Sequence, residues 1–275
     1  MPSQKPIRGI IAGLARAVTL KDEGQPSLQR NFTLILLLAL AAAAWAVIVW
    51  HGHTPMIAAG MTAPHFLADW VVMMVAMMFL TTAPMILTFQ KVQTGTHHPD
   101  DALGSTWVFV TAYLLVWAIA GLAAYAGILA AESASSALDP VSAAQFGGAV
   151  LIVAGLYQFT PLKEACLSEC RTPITKTSWH RDKAGAFRMG LLHGAYCVGC
   201  NWLLFAALFP LGMTIGAMMV ITLIILAEKT LRWPTSASYT AAVILVLYGA
   251  LLITSPQLTI QKNSNAHMPV EMQMR

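Results

Sequence analysis

The sequence predicts an all-α, polytopic transmembrane helix bundle of about seven spans, with its N-terminus in the cytoplasm and its C-terminus outside. Three observations carry that prediction. The chain is 57% hydrophobic and only 10% charged, at a mean hydropathy of +0.65. Uncharged runs of ~18 residues or more recur along it, which a bilayer requires and a water-soluble core does not. An N-in arrangement also leaves only Lys262 and Arg275 of the 16 Lys and Arg residues outside, an asymmetry that calls for an odd number of spans. Three regions follow: a cytoplasmic segment 1–31, a transmembrane domain 32–254 and an extracytoplasmic tail 255–275.

Taken in order, residues 1–31 are basic (Lys5, Arg8, Arg16, Lys21, Arg30), with Ile7, Ile10, Ile11, Leu14 and Val18 at helical spacing. They read as a flank that sets orientation, with an amphipathic stretch suited to the membrane surface. No cleavable signal peptide is expected, since the first long apolar run begins at Phe32 and reads as a retained span. The seven runs fall at about 32–50, 67–89, 104–130, 141–160, 187–209, 213–228 and 236–254.

The second span opens on Asp69-Trp70 and continues VVMMVAMMFLTTAP. Met73/Met77 and Met74/Met78 are i, i+4 pairs on adjoining faces. Thioethers are neutral, so they sit in lipid at little cost and still ligate a soft ion such as Cu(I), though methionine also packs membrane helices with no such role. Pro84 is expected to kink the inner half of this span. The outer loop 51–65 holds His51, His53, His65, Met56 and Met61, either a plain surface loop or a vestibule for metal. The inner loop 90–103 holds His97-His98 and Asp100-Asp101 and reads as solvated. The tail, with His267, Met268, Met272 and Met274, reads as disordered.

After the fourth span comes YQFTPLKEACLSECRTP. Thr160 can cap and Pro161 can take the first helical position, so a short cytoplasmic helix is expected from there to just before Pro173. Cys166 and Cys170 lie i, i+4 on it: a thiol pair for metal, or reduced thiols packing the helix onto the bundle.

Met189 to Ala227 carries no charge and would run to about 58 Å as one helix, twice the ~30 Å of a bilayer core. Phe209-Pro210-Leu211-Gly212 near its middle predicts a hairpin. Each arm has a small-xxx-small pair, Gly190/Gly194 and Gly212/Gly216, with Cys197 and Met219 on the respective glycine faces. His193, Cys197 and Cys200 fall at i, i+4 and i+7 on one face, an imidazole and two thiols inside the membrane. That set suits Cu(I), with Zn(II) second. Counting ~1.5 Å per residue inward from the outer surface places Met73 to Met78, Cys197 to Cys200 and Met219 at overlapping depth. Glu228 and Lys229 read as an interfacial ion pair.

Three segments then carry a resemblance: Asp69-Trp70-x-x-Met73-x-x-Ala76-Met77-Met78, Tyr157-Gln158-x-x-Pro161-x-Lys163-x-x-Cys166-Leu167-x-x-Cys170-Arg171-x-Pro173, and Gly194-x-x-Cys197-x-Gly199-Cys200-x-Trp202. In that order, and with Gly212-Met213 and Glu228-Lys229 following, they resemble a bacterial family of predicted metal-binding integral membrane proteins of unknown function. The resemblance implies a multi-pass protein of the bacterial cytoplasmic membrane that binds metal, with copper the ion. Asn201 stands where the family pattern commonly has a further cysteine, which removes one thiolate and leaves an amide able to support a ligand.

The candidate metal ligands are therefore Met73, Met77, Met78, His193, Cys197, Cys200 and Met219, with Cys166 and Cys170 as a second pair and Asp69 and Asn201 as supporting groups. The expected function is Cu(I) binding, transfer or delivery, with metal taken from the outer side and the partners being the bilayer and a metal donor or acceptor protein. Two other classes stand beside it: a structural or assembly subunit of a larger membrane complex, and a transmembrane thiol–disulfide carrier cycling Cys197/Cys200. No nucleophile–base set, phosphate loop or carboxylate pair argues for an enzyme, and no basic, aromatic-interleaved patch for nucleic acid.

Overall fold

The computed structural model describes residues 27–51, 61–94, 99–135, 139–171, 182–231 and 234–255, and the regular structure of those residues is all helical. Eight helices are seen there: α1 (Ser27–Trp50), α2 (Ala63–Thr94), α3 (Pro99–Ser135), α4 (Pro140–Tyr157), α5 (Pro161–Arg171), α6 (Lys183–Ala206), α7 (Ile215–Thr230) and α8 (Pro234–Thr254). The readings made for residues 1–26, for His53, Met56, His97 and His98, and for the tail beyond Ser255 lie outside the described residues.

Local chemistry starts these helices where the sequence says they start. The Asp139 carboxylate accepts from the Val141 and Ser142 amides at the head of α4, Asp182 from the Gly185 amide at the head of α6, and Thr214 from the Ala217 amide at the head of α7. Thr160 accepts from the Lys163 amide at 3.3 Å with Pro161 opening α5, as its sequence requires. Pro84 does not end α2, which runs on through it to Thr94; the Thr88 hydroxyl donates to the Pro84 carbonyl at 2.8 Å.

Among the described residues, five helices are long and apolar enough to cross a bilayer: Leu28–Trp50, Ala63–Gln93, Asp101–Ala131, Lys183–Ala206 and Thr235–Thr254. Seven were expected. The fourth run breaks at Gln158–Thr160, and α4 and α5 meet at 62°, a broken sixth span or a re-entrant turn. The sixth run yields α7, whose 16 residues reach about 24 Å, short of the ~30 Å hydrocarbon core. Large apolar side chains on the outer faces, among them Ile119, Leu122, Leu223, Val243 and Leu247, stand exposed, as lipid-facing surfaces do.

The turn between α6 and α7 lies where Pro210 and Gly212 predict it, with Gly212 at φ +75° and Met213 at φ 49°. The Met213 amide closes it onto the Leu208 carbonyl at 2.9 Å. The two arms nevertheless do not pack along each other. Helix α6 packs on α3 and α5, and α7 packs on α2 and α8. The remaining chain completes the assembly, α1 against α2, α2 against α3, and α4 against α8. The glycine pairs explain the split. Side chains at Gly190 and Gly194 would strike the Phe109 carbonyl and Val116 of α3, so that pair seats α6 on α3. Gly212 belongs to the turn and nothing lies close to Gly216, so the second pair is not a packing surface.

Candidate metal centre

The close seat of α6 on α3 brings Cys197 to the middle of the molecule. Its thiol lies 3.2 Å from the Tyr113 hydroxyl of α3, which is itself 3.2 Å from the Thr82 hydroxyl of α2. The Met78 thioether, halfway along α2, stands 3.9 Å from the Cys197 sulfur. Met78, Cys197 and Cys200 are fully buried.

The second contribution comes from α5. The bend after α4 folds this helix back onto α6, where the Tyr157 hydroxyl donates to the Gly199 carbonyl at 2.6 Å and Cys166 rests against Gly199. Cys170, one turn later, then meets Cys200 with 3.8 Å between sulfurs. The expected separate thiol pair of a cytoplasmic helix is thus divided: Cys170 joins the buried thiols of α6, while Cys166 packs beside them. Asn201, 1% exposed, donates to the Cys200 sulfur at 3.1 Å and to the Cys197 carbonyl at 2.9 Å.

Lys229, from the last turn of α7, completes the cluster. Its ammonium donates to the Cys197 sulfur at 3.2 Å and lies 3.5 Å from the Thr81 hydroxyl. The expected pairing of Lys229 with Glu228 is not formed, because neighbouring helix residues project ~100° apart. Glu228 instead pairs with Lys163 of α5 at 2.7 Å and accepts from Ser238 of α8 at 2.9 Å, in a fully buried network that Gln158 joins. Arg171 donates to the Glu228 and Leu231 carbonyls, each at 2.7 Å. These contacts lock α5 against α7 and hold Cys170 in place.

His193 lies one turn before Cys197, its ring packed against those of Phe109 and Tyr113 at 5.8 and 5.7 Å. It is 5% exposed, and its Nε2 has no hydrogen-bond partner among the described residues. It helps line a cavity of about 220 Å³ with Thr81, Thr82, Met85, Cys170 and Lys229. Met73 and Met77 are buried in the same core on α2. Met219 is 51% exposed and faces outward from α7, and Asp69 is exposed near the start of α2. Neither of those two is drawn into the cluster.

Tyr113 belongs to the site without having been singled out, and Lys229 was read only as half of an interfacial ion pair. A tyrosine in an apolar span and a lysine in a last helical turn have ordinary uses, and only the crossing of α3, α6 and α7 gives them this one. Chemically, four sulfurs from three helices gather in the buried core beside one ammonium group. Sulfurs sharing an ion at ~2.3 Å would stand ~3.8–4.0 Å apart, close to the spacing of both sulfur pairs. Among the described residues, no group of three or more His, Cys, Asp and Glu side chains is arranged to hold a metal as it stands. A shared ion therefore has to draw the Cys197–Met78 and Cys170–Cys200 pairs together, or be held by one of them.

No curated protein and no solved structure matches this chain. A family model described as a copper chaperone, PpoB2, matches residues 67–252, from the start of α2 to the end of α8. Every residue of the cluster falls inside that match, and the chain belongs to the PpoB2 copper chaperone family.

Proposed function

We propose that the chain holds Cu(I) as cargo inside the bilayer, on Cys197, Cys200, Cys170 and Met78, and passes it to an acceptor protein. One observation carries this reading: polarizable sulfurs from α2, α5 and α6 converge in a buried core rather than facing lipid. Cu(I) prefers thiolate and thioether ligands, and copper handling is the description of the family. Two thiolates on one Cu(I) leave a net negative charge, which is costly in a low-dielectric interior unless offset. The Lys229 ammonium, 3.2 Å from Cys197, offsets it.

In the same reading the protein lies in a bacterial cytoplasmic membrane with its N-terminus inside and its C-terminus outside. The α4–α5 break and the short α7 then make the sixth and seventh crossings. Support comes from the charge asymmetry and from the position of Lys91, Arg171, Lys183, Arg188 and Lys229 at or near the ends of helices that share one side under that topology.

Protein purified in mild detergent from copper-replete cells should carry about one copper per chain, and the Cys197→Ser/Cys200→Ser variant almost none, by elemental analysis. A metal-free wild type would end the proposal.

A further inference from the structure

The two ends of the cluster differ. Toward the start of α2 it is roofed by aromatic rings: Trp70 and Trp117 pack on Phe205 at 6.1 and 5.0 Å, and the Trp70 indole donates to the Trp117 carbonyl at 2.9 Å. Gly121 makes that roof tight, since any side chain there would stand 2.5 Å from the Trp70 ring. Toward the far half of α2 lies the ≈ 220 Å³ cavity. Its floor is buried (Thr81, Thr82, Cys170 and His193), whereas Met85 and Lys229 at its rim are partly exposed. One end of the cluster is therefore plugged and the other opens through a polar cavity.

From this asymmetry we propose that copper reaches the cluster through the cavity, from the basic end of the bundle, and that His193 Nε2 is its first ligand in the protein. The inference rests on the Cu(I) reading above and reverses the expected supply from the outer side. His193 is suited to the role by an observation independent of its spacing. The residue belongs to the wall of the cavity that Cys170 also lines, and its Nε2 is buried without a hydrogen-bond partner among the described residues. A buried nitrogen left unpaired is destabilising, and a ligand bond relieves that. The ring packs against Phe109 and Tyr113 of α3.

Lys229 and Arg171 also line the cavity, so a bare cation would be repelled and copper must arrive with its charge already offset. A small-molecule Cu(I)–thiolate complex meets that requirement. Cu(I) keeps its oxidation state throughout. A donor sulfur–copper bond breaks as the Nε2–copper bond forms, and that bond breaks in turn as the Cys197 sulfur–copper bond forms. The released donor thiolate takes the proton that the Cys197 thiol gives up on binding copper, and leaves as the neutral thiol.

The test is loading from an impermeant Cu(I)–thiolate complex into membrane vesicles of opposite orientation, followed by purification and copper analysis at successive times. Inverted vesicles, with the cytoplasmic face outward, should load, and right-side-out vesicles should not. His193→Phe fills the same aromatic slot and should slow loading by about tenfold or more while the final copper content stays that of the wild type. His193→Met, which restores a soft ligand, should recover the rate. Loading from the right-side-out face, or an unchanged rate in His193→Phe, overturns the inference. Lower final copper content in His193→Phe at an unchanged rate overturns it too, since His193 would then belong to the resting site. A wild type that takes up no copper even in detergent is a different result, and removes the Cu(I) reading itself.

Discussion

Lys229 is the residue on which the charge balance of the site turns. It stands in the last turn of a mostly apolar helix, yet its ammonium meets the Cys197 sulfur rather than the neighbouring carboxylate. That choice follows from the rotation of ~100° between successive helix residues, which sends Glu228 to Lys163 on one side and Lys229 to Cys197 on the other. Replacing Lys229 by Met keeps the length and apolar stem but removes the charge. Cu(I) affinity, read by competition with a chromogenic chelator, should fall by about 10- to 100-fold, the usual cost of losing a group that supports metal ligands. Lys229→Arg keeps the charge and should retain most of the affinity. Equal affinity in Lys229→Met and the wild type would mean that the ammonium has no part in holding the cargo. Met78 and Cys197 were legible as sulfurs at overlapping depth, by counting residues inward along two spans, but not as neighbours. Lys229 and Tyr113 were not legible as members of the site, because nothing within a single helix states which neighbour it will face.

At the scale of the element, α5 and α6 show how local and tertiary information divide. The ends of α5 were readable from Thr160, Pro161 and Pro173, and the helix forms between those limits. Its destination was not readable. The 62° bend and the Tyr157–Gly199, Lys163–Glu228 and Arg171 contacts fold it onto α6 and deliver Cys170 to Cys200. For α6 the close approach to α3 depends on Gly190, where no side chain clears the Phe109 carbonyl. Gly190→Val should therefore push α6 away from α3 and cost about 1–3 kcal/mol, the usual range for overpacking. The measurement is thermal unfolding in detergent, where the variant should melt lower and bind less copper. Gly216→Val, at a position with open space beside it, is the control and should leave both unchanged. If both variants melt alike, the α3–α6 contact is not what holds Cys197 in place.

For the whole molecule, the proposed topology makes a prediction of its own. Reporter domains fused at the N-terminus and after Thr254 should report opposite sides of the membrane, with the N-terminal fusion active in the cytoplasm. Reporters on the same side would mean an even number of crossings, and the α4–α5 pair would then be re-entrant rather than a span. Composition, uncharged runs and charge asymmetry were sufficient for an all-helical membrane protein, because the bilayer imposes its thickness and electrostatics on each segment separately. The sulfur-bearing helix faces were also legible, since residue type and spacing decide which atoms a face carries. Tertiary structure alone decided which atoms meet: it turned Met219 outward, brought Cys170 inward and set Lys229 beside Cys197. The physical reason is that helix period orients side chains within a helix, whereas contacts between helices depend on packing partners. Here those partners were chosen by close glycine contacts, a bent joint and a buried ion pair, and none of these is encoded in the periodicity of any one segment.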